Sequence, residues 1–134
     1  MKYLDSNVFL YPLLYKGKKA TKAQNILNEM VLGKAPCITS SLTLDEIIWI
    51  IMKMHDRTKA IEIARDVLSL PNLKILDVTN EHILQSLDLM EKYQRLKPRD
   101  AIHIAVCINA GVFTIISDDT DFENIAEIKR IPLA

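Results

Sequence analysis

Short apolar runs of strand length alternate along this chain with segments of helical period, and that alternation constrains the fold more than any single residue does. Residues 2–5, 36–39, 73–78 and 112–117 read as strands, with 128–131 as a short fifth at an edge before Pro132. Between them lie helical segments at 7–14, 18–32, 40–54, 58–70, 81–95 and 99–110. Their boundaries follow from residue chemistry. Ser6 or Asn7 caps the first, Gly33 stops the second, hydroxyls from Ser40 onward cap the third and Thr79 caps the fifth. Pro98 suits the first turn of the last helix and Gly111 ends it. Val112 to Ile116 is almost continuously apolar, as a strand covered on both faces should be. The expected architecture is α/β: a three-layer α/β/α sandwich around a central parallel sheet of four to five strands, in a single domain spanning residues 1–134.

Acids collect where such a sheet places its ligands. Asp5 ends the first strand, and Asp118, Asp119 and Asp121 follow the fourth. Glu46 sits among Ile47, Ile48, Trp49, Ile50 and Ile51, and Asp100 precedes Ala101, Ile102, Ile104, Ala105 and Val106. Singly, each acid also reads as a helix cap or as a favourable charge at a helix N-terminus. Jointly they do not, because Glu46 and Asp100 interrupt surfaces that should be buried. Strand ends and the starts of the helices that follow them share one rim of a parallel sheet, where ligands bind. Carboxylates crowded there repel unless a proton or cation separates them, and an all-oxygen site suits Mg²⁺ or Mn²⁺, as one ion or two.

The overall charge balance is silent about a polyanionic partner, since 17 basic and 17 acidic residues give a formal net charge of zero. A local basic patch does exist at Lys92, Arg95, Lys97 and Arg99, next to Asp100 in sequence, with Lys16, Lys18 and Lys19 as a weaker second group. Two cysteines, Cys37 and Cys107, lie in apolar surroundings and read as free buried thiols of a reducing compartment. An acid at position 5 breaks any signal-peptide core, and no run of 18 apolar residues could span a membrane, so a cytoplasmic location is expected. His103, on the helical face of Asp100, reads first as a packed core histidine and second as a group that tunes that acid or shuttles a proton, and Trp49, Tyr3, Phe9, Tyr11 and Tyr15 read first as packing.

Four local words stand in order along essentially the whole chain: Leu4-Asp5-Ser6-Asn7-Val8, the Ser40–Glu46 segment with its acid six residues after a serine, Arg99-Asp100-Ala101-Ile102-His103, and Ser117-Asp118-Asp119-Thr120-Asp121-Phe122. Together they resemble the PIN-domain nucleases and in particular the small VapC-like toxins of toxin–antitoxin pairs. The resemblance implies a metal-dependent ribonuclease, with Asp5, Glu46, Asp100 and Asp119 as the catalytic, metal-holding acids. It further implies Asp118 and Asp121 as auxiliary metal ligands and Asn7, Ser40 and Ser117 as polar supports. Asp118 departs from the pattern, standing where the family usually has Asn. The implied cofactor is Mg²⁺ or Mn²⁺; the implied partners are an RNA substrate guided by Lys92, Arg95, Lys97 and Arg99, a small antitoxin and a second copy of the chain. The aliphatic surfaces of the third and fourth helices are the expected docking faces.

Three other readings compete. An aspartyl phosphotransferase would need a second Asp where Asn7 stands. A receiver-type phosphorylation switch would use Asp77 and leave Glu46 without a role. A catalytically silent PIN-like interaction module would have no reason to keep all four main acids.

Overall fold

The computed structural model describes residues 1–134 as five strands and six helices. In chain order these are β1 (Lys2–Leu4), α1 (Ser6–Leu14), α2 (Lys18–Val31), β2 (Cys37–Ser40), α3 (Ser41–Met54), α4 (Arg57–Leu68), β3 (Leu73–Leu76), α5 (Asn80–Lys92), α6 (Pro98–Ala110), β4 (Thr114–Ile116) and β5 (Lys129–Ile131). A short 3-10 helix, Thr120–Phe122, follows β4. All four strand pairings are parallel, in the order β3-β2-β1-β4-β5. The expected three-layer sandwich is present with all five strands.

Strand alternation splits the core into two. Leu4, Cys37 and Ile116 pack with apolar residues of α1 to α4, among them Val8, Met30, Ile47, Ile51, Ile63 and Val67. Their sequence neighbours Tyr3, Ile38 and Ile115 face the other way, onto Leu89 of α5 and Ala101, Ile104 and Ala105 of α6. Cys37 and Cys107 fall in different clusters, so both thiols stay free and buried.

Several boundaries differ from expectation, each for a local reason. α1 begins at Ser6 because the Asp5 carboxylate itself accepts the Ser6 N–H at 2.8 Å, displacing Ser6 and Asn7 from the capping role. β4 starts only at Thr114. Gly111 takes up a left-handed φ of 68°, the Val112 N–H turns back onto the Cys107 carbonyl at 3.0 Å, and Phe113 is left 55% exposed. α5 stops at Lys92, three residues early, because Tyr93 already leaves helical geometry and the chain turns through Leu96 into Pro98. Trp49 is exposed with Lys53 over its ring, since α3 buries Leu44, Ile47 and Ile51 on the opposite stripe. Asp77, the acid a receiver would phosphorylate, follows edge strand β3, is exposed and shares its hollow with none of the other candidate acids, which removes that reading. No helix is long and apolar enough to cross a membrane.

Candidate active site

β1 lies at the centre of the sheet, so the residue that leaves its carboxyl end is held from both sides. The Asp5 N–H bonds the Ile116 carbonyl of β4 at 3.1 Å. Its carboxylate, 6% exposed, accepts from Ser117 Oγ at 2.5 Å and from Asn7 Nδ2 at 3.4 Å. Ser117 is fully buried and acts as a hub. Its Oγ accepts from Asn7 Nδ2 at 3.2 Å and from the Asp119 N–H at 3.0 Å. The two expected supports Asn7 and Ser117 therefore tie Asp5 to the turn that carries Asp119.

Glu46 reaches the same rim from α3 and Asp100 from the first turn of α6. Asp5, Glu46, Asp100 and Asp119 all line one cavity of about 230 Å³, together with Asn7, Tyr11 and Ile50. A second hollow of about 550 Å³ shares Glu46, Asp100 and Asp119 with the first and adds Asp121, Lys97 and Arg99. Ligand atoms within 4.8 Å of one another form two groups, Asp5 with Glu46 and His103, and Asp100 with Asp119 and Asp121.

Asp100 is the electrostatic weak point. Burial first, then the negative charges of Asp119, Asp121 and Asp5, push its carboxyl up to about 7, with only His103 pulling the other way. No protein donor satisfies it. His103 faces Glu46 and Asp5, but Asp100 and Asp119 have no cationic partner, and a cluster of acids presenting oxygen fits a hard divalent cation such as Mg²⁺ or Mn²⁺.

The PIN domain profile matches residues 2–128, nearly the whole chain. This chain belongs to the PIN-domain family. Ribonuclease VapC13 of Mycobacterium tuberculosis is 28% identical over 128 residues, which is 96% of this chain and 97% of the relative. Among solved structures, VapC20 of M. tuberculosis, a sarcin-ricin loop cleaving toxin, superposes with a TM-score of 0.75 at 18% identity, covering 96% of this chain and 98% of that one. VapBC2 of Rickettsia felis, solved with a DNA fragment from its promoter, gives 0.76 at 18%, with 98% of both chains covered.

Within this PIN domain the remaining expected site residues have separate placements. Asp118 belongs to neither acidic group: its Oδ2 accepts from Tyr11 OH and from Lys19 Nζ, each at 2.8 Å. Burial pushes its carboxyl up, but those two donors outweigh it and hold it below the usual carboxylate range. The same contact pushes the Tyr11 phenol up to about 12, burial first and the Asp118 bond next. Asp118 thus ties the turn after β4 to the α1–α2 pair and lies apart from the acids it was expected to join. Replacing it by Ala is expected to lower the melting temperature modestly, since Lys19 is half exposed and such pairs contribute about 0–1 kcal/mol, while divalent-ion affinity stays unchanged. Calorimetric melting and Mn²⁺ titration of one preparation check both halves.

Ser40 does not line the cleft: its Oγ lies 2.7 Å from Tyr3 OH, and it makes no capping bond of its own. Of the basic residues, Lys92 is paired with Glu127 at 3.1 Å and Lys97 with Asp121 at 3.4 Å, whereas Arg95 and Arg99 are exposed and carry no ion pair. Lys16 and Lys18 line a separate hollow with Tyr15 and Lys19. In sequence His103 reads first as a core histidine and second as a group that tunes the neighbouring acid or shuttles a proton. It is fully buried, as expected, yet its Nε2 lies 2.8 Å from Glu46 Oε1 and 3.8 Å from Asp5 Oδ1. Its position three residues after Asp100 on one helical face was the available signal.

Proposed function

We propose that this PIN domain is a metal-dependent ribonuclease and the toxin of a toxin–antitoxin pair. One observation carries the reading: four carboxylates from four separate elements converge on one cleft, where His103 faces Glu46 and Asp5 but Asp100 and Asp119 have no cationic partner. Likeness over nearly the whole chain to a VapC ribonuclease and to a sarcin-ricin loop cleaving toxin supports it. A silent interaction module would gain nothing from keeping Asp100 ionisable at such a cost.

Asp5, Glu46, Asp100 and Asp119 would hold one or two Mg²⁺ or Mn²⁺ ions, with Asp121 beside them. A bound divalent ion lowers the pKa of water and offsets the charge that builds on a phosphodiester as it is cut. The chain's own residues set the stage for that chemistry. Ser117 and Asn7 fix Asp5 and join it to Asp119. Arg95, Lys97 and Arg99 flank the acids and supply positive charge for the RNA backbone, which compensates for a protein of zero net charge. Lys97 can exchange Asp121 for a phosphate. The exposed apolar residues Leu13, Trp49, Met54, Ile61 and Leu68 on α1, α3 and α4 offer faces for a small antitoxin or a second copy of the chain. Two free thiols fit the reducing cytoplasm, where RNA is available.

Cleavage of a mixed RNA pool tests this directly. Wild-type protein is expected to cut with Mg²⁺ or Mn²⁺ and to stop in EDTA, and Asp5→Asn is expected to be inert in both. Arg99→Ala should weaken RNA binding and lower its salt dependence by about one unit of slope. Metal-independent cutting, or full activity in Asp5→Asn, would refute the four-acid reading.

A further inference from the structure

A chain of buried hydrogen bonds runs from the middle of the sheet to one atom of the cleft. Ser40 Oγ lies 2.7 Å from Tyr3 OH, Tyr3 OH lies 2.6 Å from His103 Nδ1, and His103 Nε2 lies 2.8 Å from Glu46 Oε1. Thr43 Oγ1 adds a longer contact to Tyr3 OH at 3.4 Å and itself accepts from Thr39 Oγ1 at 2.8 Å. Tyr3, Thr39, Ser40, Thr43 and His103 are all 0% exposed. Tyr3 belongs to an apolar cluster with Ile38, Ile104 and Ile115, where Phe would pack as well and bury no polar atom. The polar atoms are instead spent in series, each satisfying the next, and no buried side-chain polar atom is left without a partner.

We propose that Tyr3 and His103 are positioning residues that orient the Glu46 carboxylate toward the cation of the acidic cleft; this rests on the metal-nuclease reading above. Glu46 is a long side chain on a helix, and holding it in one rotamer costs side-chain entropy. His103 removes that freedom in advance. An ionised Glu46 only accepts, so Nε2 must carry a proton. Nδ1 then either accepts from the Tyr3 hydroxyl or donates to it while that hydroxyl turns to Ser40. In both arrangements an N–H is aimed at Oε1, and Oε2 is left with no protein partner. Outer partners of this kind set ligand direction, and losing one costs about 10–100-fold in metal affinity or activity.

The experiment is a Mn²⁺ titration by isothermal calorimetry on folded, metal-stripped wild type, Tyr3→Phe, His103→Gln and His103→Leu, with melting temperatures measured in EDTA. His103→Leu is expected to weaken Mn²⁺ binding about 10–100-fold. His103→Gln, whose amide can donate near the Nε2 position, should recover most of that loss. Tyr3→Phe keeps the ring and its packing and should weaken binding by a smaller factor. Wild-type affinity in His103→Leu, or a Gln variant as weak as Leu, overturns the inference even if melting temperatures fall, because only the N–H aimed at Glu46 distinguishes Gln from Leu at that place. Should His103→Leu not fold, Tyr3→Phe decides, and unchanged affinity there overturns it. Wild type that takes up no Mn²⁺ overturns the nuclease reading itself, and this inference with it.

Discussion

Asp100→Asn is expected to abolish RNA cleavage and, in EDTA, to melt at a higher temperature than wild type. The two effects share one cause. Burial and the charges of Asp119, Asp121 and Asp5 raise the Asp100 pKa to about 7, so the fold penalises its ionised form. The folded chain then holds a proton that the unfolded chain releases, and metal-free stability is present at low pH and lost as pH rises from about 4 to about 7. Asn carries no charge and escapes that loss. Added Mg²⁺ should restore wild-type stability above pH 7 and do little for the variant. Activity should fall more than about 100-fold, beyond the range for losing an outer-shell partner. Melting curves from pH 4 to 8, with and without Mg²⁺, read the sign. An Asn variant that melts lower than wild type in EDTA at pH 8 would show that Asp100 is a structural cap.

Phe122→Ala should be the most damaging single change outside the acids, costing about 3–5 kcal/mol of a domain stability of about 5–15 kcal/mol. Phe122 is 1% exposed at the end of the 3-10 turn and packs with Ile125 and Ile128, its ring centroid 6.3 Å from that of His103. The turn it anchors holds Asp119 and Asp121, whose N–H donates to Asp119 Oδ1 at 2.9 Å. Emptying that pocket loosens two acids as well as the core, so Mn²⁺ affinity should fall with stability. Phe113→Ala is the control. That ring is 55% exposed, and its loss should stay within about 0.5 kcal/mol. Equal losses at the two sites in urea unfolding would refute the packing argument.

The fold was legible because period is a local property. Strands and helices were separable from residues a few positions apart, and a parallel sheet followed from their alternation. The boundaries slipped where a neighbour outside the element intervened, as when Cys107 captured the Val112 N–H and shortened β4. The acids were legible for a different reason: Glu46 and Asp100 break apolar stripes, and a broken stripe shows within one helix. What stayed hidden was pairing across long separations. Nothing local indicates that Asp118 meets Tyr11 and Lys19, about a hundred residues away, or that His103 bridges Tyr3 and Glu46. Asp118 and Asp119 are adjacent in sequence and look alike there. In space one is neutralised by a lysine and the other faces the cleft.

The place of β1 in the sheet has a consequence for how the molecule comes into being. The strand made first is the strand that ends in the middle, and its two neighbours are made at different times. β2 follows about 35 residues later, but β4 arrives more than 110 residues after β1, and Ser117 lies 112 positions from the Asp5 it holds. At 5–20 residues per second, a ribosome needs on the order of ten seconds to cover that distance. During that interval the nascent chain carries Asp5 and Glu46 but neither Ser117 nor Asp119. The cleft assembles only when synthesis has passed β4, so a message cut short just before that point yields a chain with Asp5, Glu46 and Asp100 but without Asp119, its central strand paired on one side only. Whatever the cleft does to RNA, it does so only after its own message has been read almost to residue 120.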